Sequence, residues 1–78
     1  MPTVLKEGPY RFFFFSNESN EPIHIHVEAG NKYCKIWINE ITLSKNVGFN
    51  ATELNTISKI IKDNRNIIKE KWNEFFRS

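Results

Sequence analysis

Residues 23–28 read Ile-His-Ile-His-Val-Glu, an unbroken alternation of apolar and polar side chains. Successive side chains of a β-strand point to opposite faces. The segment is therefore a strand with Ile23, Ile25 and Val27 on one face and His24, His26 and Glu28 on the other. Gly30-Asn31 follows, a pair that accepts positive φ and marks a tight two-residue hairpin. Residues 32–38 alternate again, Tyr33, Lys35 and Trp37 against Cys34, Ile36 and Ile38. Closing the hairpin on Gly30-Asn31 opposes Ala29 to Lys32, Val27 to Cys34 and Ile25 to Ile36. On the other face Glu28 meets Tyr33, His26 meets Lys35 and His24 meets Trp37. This one register collects every small or aliphatic side chain on one side, and a slip of one residue would mix the faces.

The remaining elements follow from pattern and punctuation. Thr3-Val4-Leu5 reads as a short edge strand ending at Glu7-Gly8-Pro9. Residues 10–16 form a second strand, aromatic on both faces, and residues 17–22 are a polar loop of turn formers. The third strand spans residues 23–29, the fourth 32–38, and residues 41–43 make a short fifth. A helix start is then well marked. Asn50 is the N-cap, Glu53 completes a capping box, and Phe49 with Leu54 forms a hydrophobic staple. Leu54, Ile57, Ile61, Ile68, Trp72 and Phe75 recur at helical spacing. The stripe lapses at Asn64, inside Asp63-Asn64-Arg65-Asn66, a stretch rich in weak helix formers. The chain there is either one helix with a polar turn or two helices meeting at a kink, and the single helix is the favoured reading.

The fold class expected is α+β, a single domain over residues 1–78. It has an antiparallel β-meander of four or five strands over residues 3–43 and a C-terminal helix, continuous or split, over residues 51–76, packed on one face. The helix stripe and the Ile23, Ile25, Val27, Cys34, Ile36, Ile38 face make the core. The face with the two histidines is then left uncovered.

Size and composition exclude several classes. A chain of 78 residues buries only roughly 60% of its unfolded surface, so a partner can matter for its stability. Eleven basic against nine acidic residues give +2, too small an excess to argue for nucleic acid by charge alone. The longest apolar run, residues 12–15, is far short of the ~20 residues of a membrane span. Met1-Pro2-Thr3 opens no signal peptide. Asn17-Glu18-Ser19 and Asn50-Ala51-Thr52 match the glycosylation sequon, but with no export signal they read as loop and helix cap. Cys34 is alone, which fits a reducing cytoplasm. The expectation is a cytoplasmic protein without membrane contact.

The histidine face is the candidate for chemistry. Two imidazoles one strand repeat apart stand ~6.6 Å from Cα to Cα, a spacing that can chelate an ion. No third ligand is in reach, since Glu28 lies ~13 Å from His24 along the strand, the opposing Lys35 and Trp37 are not ligands, and Cys34 faces the core; no metal or cofactor is expected. Metal-independent acid–base chemistry asks for different neighbours. His24 and His26 supply acid and base near neutral pH, Lys35 stands beside His26, and Arg11 joins them if Tyr10, Phe12 and Phe14 take the core face. With Tyr33 and Trp37 as flat surfaces for bases, this is the constellation of a small ribonuclease, or of a nucleic-acid-binding sheet without catalysis. The plain alternative is a histidine packed on an aromatic ring, and Trp37 directly opposes His24.

A single helix covers one face of a sheet. Phe13 and Phe15, with Tyr33 and Trp37, are then exposed unless another chain covers them, and large apolar patches mark interfaces. A protein partner or a homodimer is therefore expected, with Phe13, Phe15, Tyr33 and Trp37 as its contact residues. Lys59, Lys62, Lys69 and Lys71 with Asp63, Glu70 and Glu74 read as a solvated helix face. Trp72, Phe75 and Phe76 read as core and terminal docking, and Cys34 as packing.

Met1-Pro2-Thr3-Val4, residues 8–14 (Gly-Pro-Tyr-Arg-Phe-Phe-Phe), residues 21–28 (Glu-Pro-Ile-His-Ile-His-Val-Glu), Gly48-Phe49 and residues 72–76 (Trp-Asn-Glu-Phe-Phe) together carry a resemblance. The chain closely resembles a small bacterial family, domain of unknown function 4160, over nearly its whole length. The family often has Pro-Pro-His where this chain has Pro22-Ile23-His24, a departure that relaxes the strand entry. The resemblance implies a short cytoplasmic protein encoded beside another small protein in a two-gene, toxin–antitoxin-like module. It maps the family's His-x-His onto His24 and His26 and assigns them no role.

Overall fold

The computed structural model describes residues 3–15 and 20–76. Its elements are β1 (Thr3–Glu7), β2 (Tyr10–Phe13), β3 (His24–Ala29), β4 (Lys32–Trp37), β5 (Thr42–Val47), α1 (Ala51–Asp63) and α2 (Arg65–Phe76). The five strands form one antiparallel meander in the order β1-β2-β3-β4-β5. The β3–β4 hairpin adopts the register read from the alternation, from Ala29 opposite Lys32 to His24 opposite Trp37. Gly30 sits at φ +62°, as the turn requires.

Strand ends differ from the sequence reading where polar residues or turns intervene. The second strand stops at Phe13, and its expected end at Ser16 lies outside the described residues, as do positions 17–19 of the loop. The third strand begins at His24, although the Ile38 N–H still donates to the Ile23 carbonyl at 3.0 Å. The fifth strand is longer than the three residues expected. Ile41 turns at φ 51°, and a bulge at the Lys35/Ile36 step then lets Lys45, Asn46 and Val47 pair with Lys35, Cys34 and Tyr33. All six residues of β5 are exposed, so backbone pairing makes this strand, not burial.

One face of the sheet carries the core. Tyr10, Phe12, Phe14, Ile25, Val27, Cys34, Ile36 and Ile38 pack with Phe49, Ile57, Ile61, Ile68 and Trp72. Ile57, Ile61, Ile68 and Trp72 are the buried members of the helix stripe. The capping box forms in full: Asn50 Oδ1 accepts from the Glu53 N–H at 2.8 Å and Glu53 Oε1 from the Asn50 N–H at 3.0 Å. Phe49 and Leu54 both join the core cluster, as a staple demands.

The single helix is corrected to two. Asn64 leaves the helical region at φ −117°, ψ 17°. Its backbone N–H is shared between the carbonyls of Ile60 and Ile61, and its Nδ2 donates to the Ile60 carbonyl at 2.8 Å. An asparagine side chain that caps its own preceding turn competes with the helical ladder, which ends α1. The Asn64 carbonyl then accepts from the Ile68 N–H at 3.0 Å and starts α2 at once. The Arg65 guanidinium donates to the Asn39 carbonyl, tying the start of α2 to the β4–β5 turn. No helix among the described residues is long and apolar enough to cross a membrane.

Candidate functional site

β2, β3 and β4 present their second face away from the core. Arg11 opposes Glu28 and Phe13 opposes His26 across β2 and β3, while Tyr33, Lys35 and Trp37 oppose Glu28, His26 and His24 across β3 and β4. Tyr10, Phe12 and Phe14 take the core side, so Arg11 does share the histidine face. All the residues singled out from the sequence therefore stand on one surface.

That surface is not open. His24 is 0% and His26 2% exposed, and Phe13 is 2% exposed. This corrects the expectation of uncovered histidines, and the cover comes from the chain itself. The His26 ring lies 4.3 Å from Phe15, edge to face, and stacks against Phe13 at 5.5 Å and Tyr33 at 5.8 Å. The His24 ring meets Trp37 at 5.4 Å and, from the helix layer, Trp72 at 5.1 Å. Broad rings on neighbouring strands, with Trp72 from α2, close over the two imidazoles. Phe15, Tyr33 and Trp37 are left half-buried as the outer surface.

The two imidazoles stand perpendicular, 5.0 Å between centroids. Nδ1 of His24 lies 2.9 Å from the Pro22 carbonyl. A carbonyl only accepts, so Nδ1 carries the hydrogen and the tautomer is assigned by the backbone. Glu21 Oε1 is 3.9 Å from the same nitrogen. Nδ1 of His26 lies 2.7 Å from the Tyr33 hydroxyl. Buried polar rings are thus held by hydrogen bonds, as burial demands.

Both cations of this face are held by a carboxylate and by an aromatic ring. Arg11 donates to Glu28 at 2.8 Å and to Thr3 at 2.9 Å, and its guanidinium sits 4.5 Å over the Phe13 ring. Lys35 donates to Glu21 at 2.9 Å and its ammonium sits 4.6 Å over Trp37. Glu21 and Trp72 are the participants that sequence reasoning missed. A loop carboxylate three positions before a strand residue carries no periodic signal, and Trp72 reads from its spacing as core alone.

Residues 10–73 match the model of the family described as domain of unknown function (DUF4160). The chain belongs to the DUF4160 family. No curated protein and no solved structure matches it. The match begins at Tyr10, so β1 lies outside it, while every residue of the histidine face from Arg11 to Trp72 lies within.

In this DUF4160 chain the face offers limited direct chemistry. Neither imidazole reaches solvent unless Phe15, Tyr33 or Trp37 moves. Among the described residues no group of three or more His, Cys, Asp or Glu side chains is placed to hold a metal ion. Cys34 lies on the core side, and burial pushes its thiol up to about 12, the opposite of an activated nucleophile. Among the described residues, two grooves lie where the helices meet the first strands. One, of about 320 Å³, runs between Thr3, Val4, Phe14 and the Lys71, Glu74, Phe75 end of α2. The other, of about 480 Å³, lies between the β1–β2 turn and Thr56, Lys59, Ile60 and Asp63. Neither is lined by the histidines.

Proposed function

We propose that this DUF4160 protein is a small cytoplasmic bacterial protein that works by binding another protein, as one component of a toxin–antitoxin-like two-gene module. The single observation that carries this reading is the half-buried outer layer of Phe15, Tyr33 and Trp37 over the buried histidines. Aromatic side chains and arginine are the residues enriched at the centres of protein interfaces. The buried histidines support the layer from beneath and hold its rings in place. Co-expression with the product of the adjacent gene should give a complex burying more than ~1,000 Å². Separate migration of the two proteins at micromolar concentration rejects the reading.

A metal-independent ribonuclease is the second reading, favoured by the 5.0 Å approach of the two imidazoles with Lys35 and Arg11 on the same face. It requires the outer rings to part. RNA cleavage that survives the double His24→Gln, His26→Gln variant ends it. Nucleic-acid binding without chemistry draws less support, because Arg11 and Lys35 are already paired with Glu28 and Glu21. That reading demands a steep loss of affinity with salt.

A further inference from the structure

β5 is the edge of the sheet that the fold leaves bare. It is exposed along all six residues, and Leu43 and Val47 are large apolar side chains 48% and 49% exposed. The other edge, β1, is blunted: it is shorter, its Val4 and Leu5 are partly buried, and a register shift interrupts it between Thr3 and Leu5. An edge strand presents a row of backbone donors and acceptors with no neighbouring strand, which is a template for an added one.

The charges on this edge choose what is added. Lys45 lies directly opposite Lys35 across the β4–β5 pair. Lys35 is neutralised by Glu21 at 2.9 Å, but among the described residues Lys45 has no ion-pair partner. Like charges facing each other across a pair destabilise it. A second copy of this chain pairing antiparallel about Lys45 would set two Lys45 side chains directly opposite each other on one face, flanked by two Lys35. Charge therefore disfavours that self-pairing register. An extended segment with acidic side chains on the Lys45 face would pair with that lysine, while its alternate apolar side chains, on the opposite face, lie beside Leu43.

We infer that β5 accepts an extended acidic segment of the protein partner as a sixth strand, with main-chain hydrogen bonds for affinity and Lys45 for selection. This deepens the partner-binding reading and rests on it, with β5 continuing the outer layer from Tyr33, which pairs with Val47.

The test uses the full chain, isotope-labelled for amide spectroscopy, and three short synthetic peptides. One alternates valine and glutamate, one alternates valine and lysine, and one is the acidic peptide N-methylated at alternate residues. The acidic peptide should shift the β5 amides and slow their hydrogen exchange. The basic and N-methylated peptides should bind at least ~tenfold more weakly, the first for charge and the second for lost backbone donors. Lys45→Glu should reverse the preference between the acidic and basic peptides. Equal binding of the acidic and basic peptides, full binding of the N-methylated one, or no change at β5 overturns the proposal. So does β5 protection that rises with protein concentration alone, which would seat a second copy there. A co-expressed complex that survives Lys45→Glu removes the strand addition and leaves the outer-layer reading standing. Selective peptide binding with no complex removes that reading and leaves the edge.

Discussion

Nδ1 of His26 and the hydroxyl of Tyr33 lie 2.7 Å apart, with their rings nearly parallel at 18°. The pair spans β3 and β4 diagonally, so one hydrogen bond and one stacking contact fix both the histidine and the outermost ring above it. Tyr33→Phe keeps the stack and removes the hydroxyl. The variant should lose about 1–2 kcal/mol, the usual consequence of stripping a partner from a buried polar group. Urea unfolding should show a lower midpoint with an unchanged slope. Adding His26→Leu to Tyr33→Phe, which leaves no polar group to satisfy, should return part of that loss. A double variant less stable than the sum of the two single changes would show that the bond is not what couples them.

The acid limb of stability should pass through Glu53. Its carboxylate accepts from Lys32 Nζ at 2.7 Å and from the Asn50 N–H at 3.0 Å. The lysine hydrogen bond first and the backbone bond second hold the carboxyl below its ordinary range. A group whose folded value is lowered contributes stability that is present above the unfolded pKa and lost as pH falls through the folded one. Glu53→Gln should therefore be less stable than the parent at neutral pH, and the gap should close as the solution is acidified below the ordinary glutamate range. The check is urea unfolding of both proteins across that pH series. A gap that stays constant would mean that Glu53 contributes only as a helix cap.

These two pairs show what the sequence could and could not carry. Glu53 was legible because a capping box is a local pattern, four residues long, and the β3–β4 register was legible because a period of two admits one arrangement of faces. Tyr33 and His26 were placed on one face by the same argument. Their burial was not legible. Whether a polar face is covered depends on the rings beyond it, and Trp72 reaches His24 from an element 48 positions later in the chain. The split of the helix was half legible: three weak helix formers, Asp63, Asn64 and Asn66, marked the place, but the choice lay with one side chain, Asn64, bonding its own preceding turn. β5 was under-read because Ser44-Lys45-Asn46 has neither apolar alternation nor β-branched residues, and only pairing with β4 makes it a strand.

Ile41 carries the clearest backbone strain in the fold. It sits at φ 51° in the β4–β5 turn, a region that penalises a β-branched side chain. Its side chain also packs on the core, so truncation alone confounds two effects. Comparing two replacements separates them. Ile41→Asn and Ile41→Ala both give up the packing, but asparagine tolerates the left-handed region and alanine does so less well. The asparagine variant should be the more stable by roughly 0.5–1 kcal/mol, against the usual advantage of alanine elsewhere. Thermal unfolding of the two variants side by side measures this, and an alanine variant equal or superior would place the strain elsewhere in the turn.

Cys34 should make the alkaline limb. The thiol faces Val27 across the β3–β4 pair, is 0% exposed, and is raised by burial from its ordinary 9.0 to about 12. Its sign is opposite to that of Glu53. Above about pH 9 the unfolded chain releases a proton that the folded chain keeps until about pH 12, so stability should fall as pH rises across that window. Cys34→Ala should flatten this slope while lowering stability at neutral pH by about 1 kcal/mol through the lost sulfur contacts. Alkylation of the native protein gives an independent measure. A thiol this deep reacts only when the hairpin opens, so iodoacetamide should label it at a rate that rises with mild urea. Rapid labelling of the native chain, at the rate of a free thiol, would contradict the sealed core that this register builds.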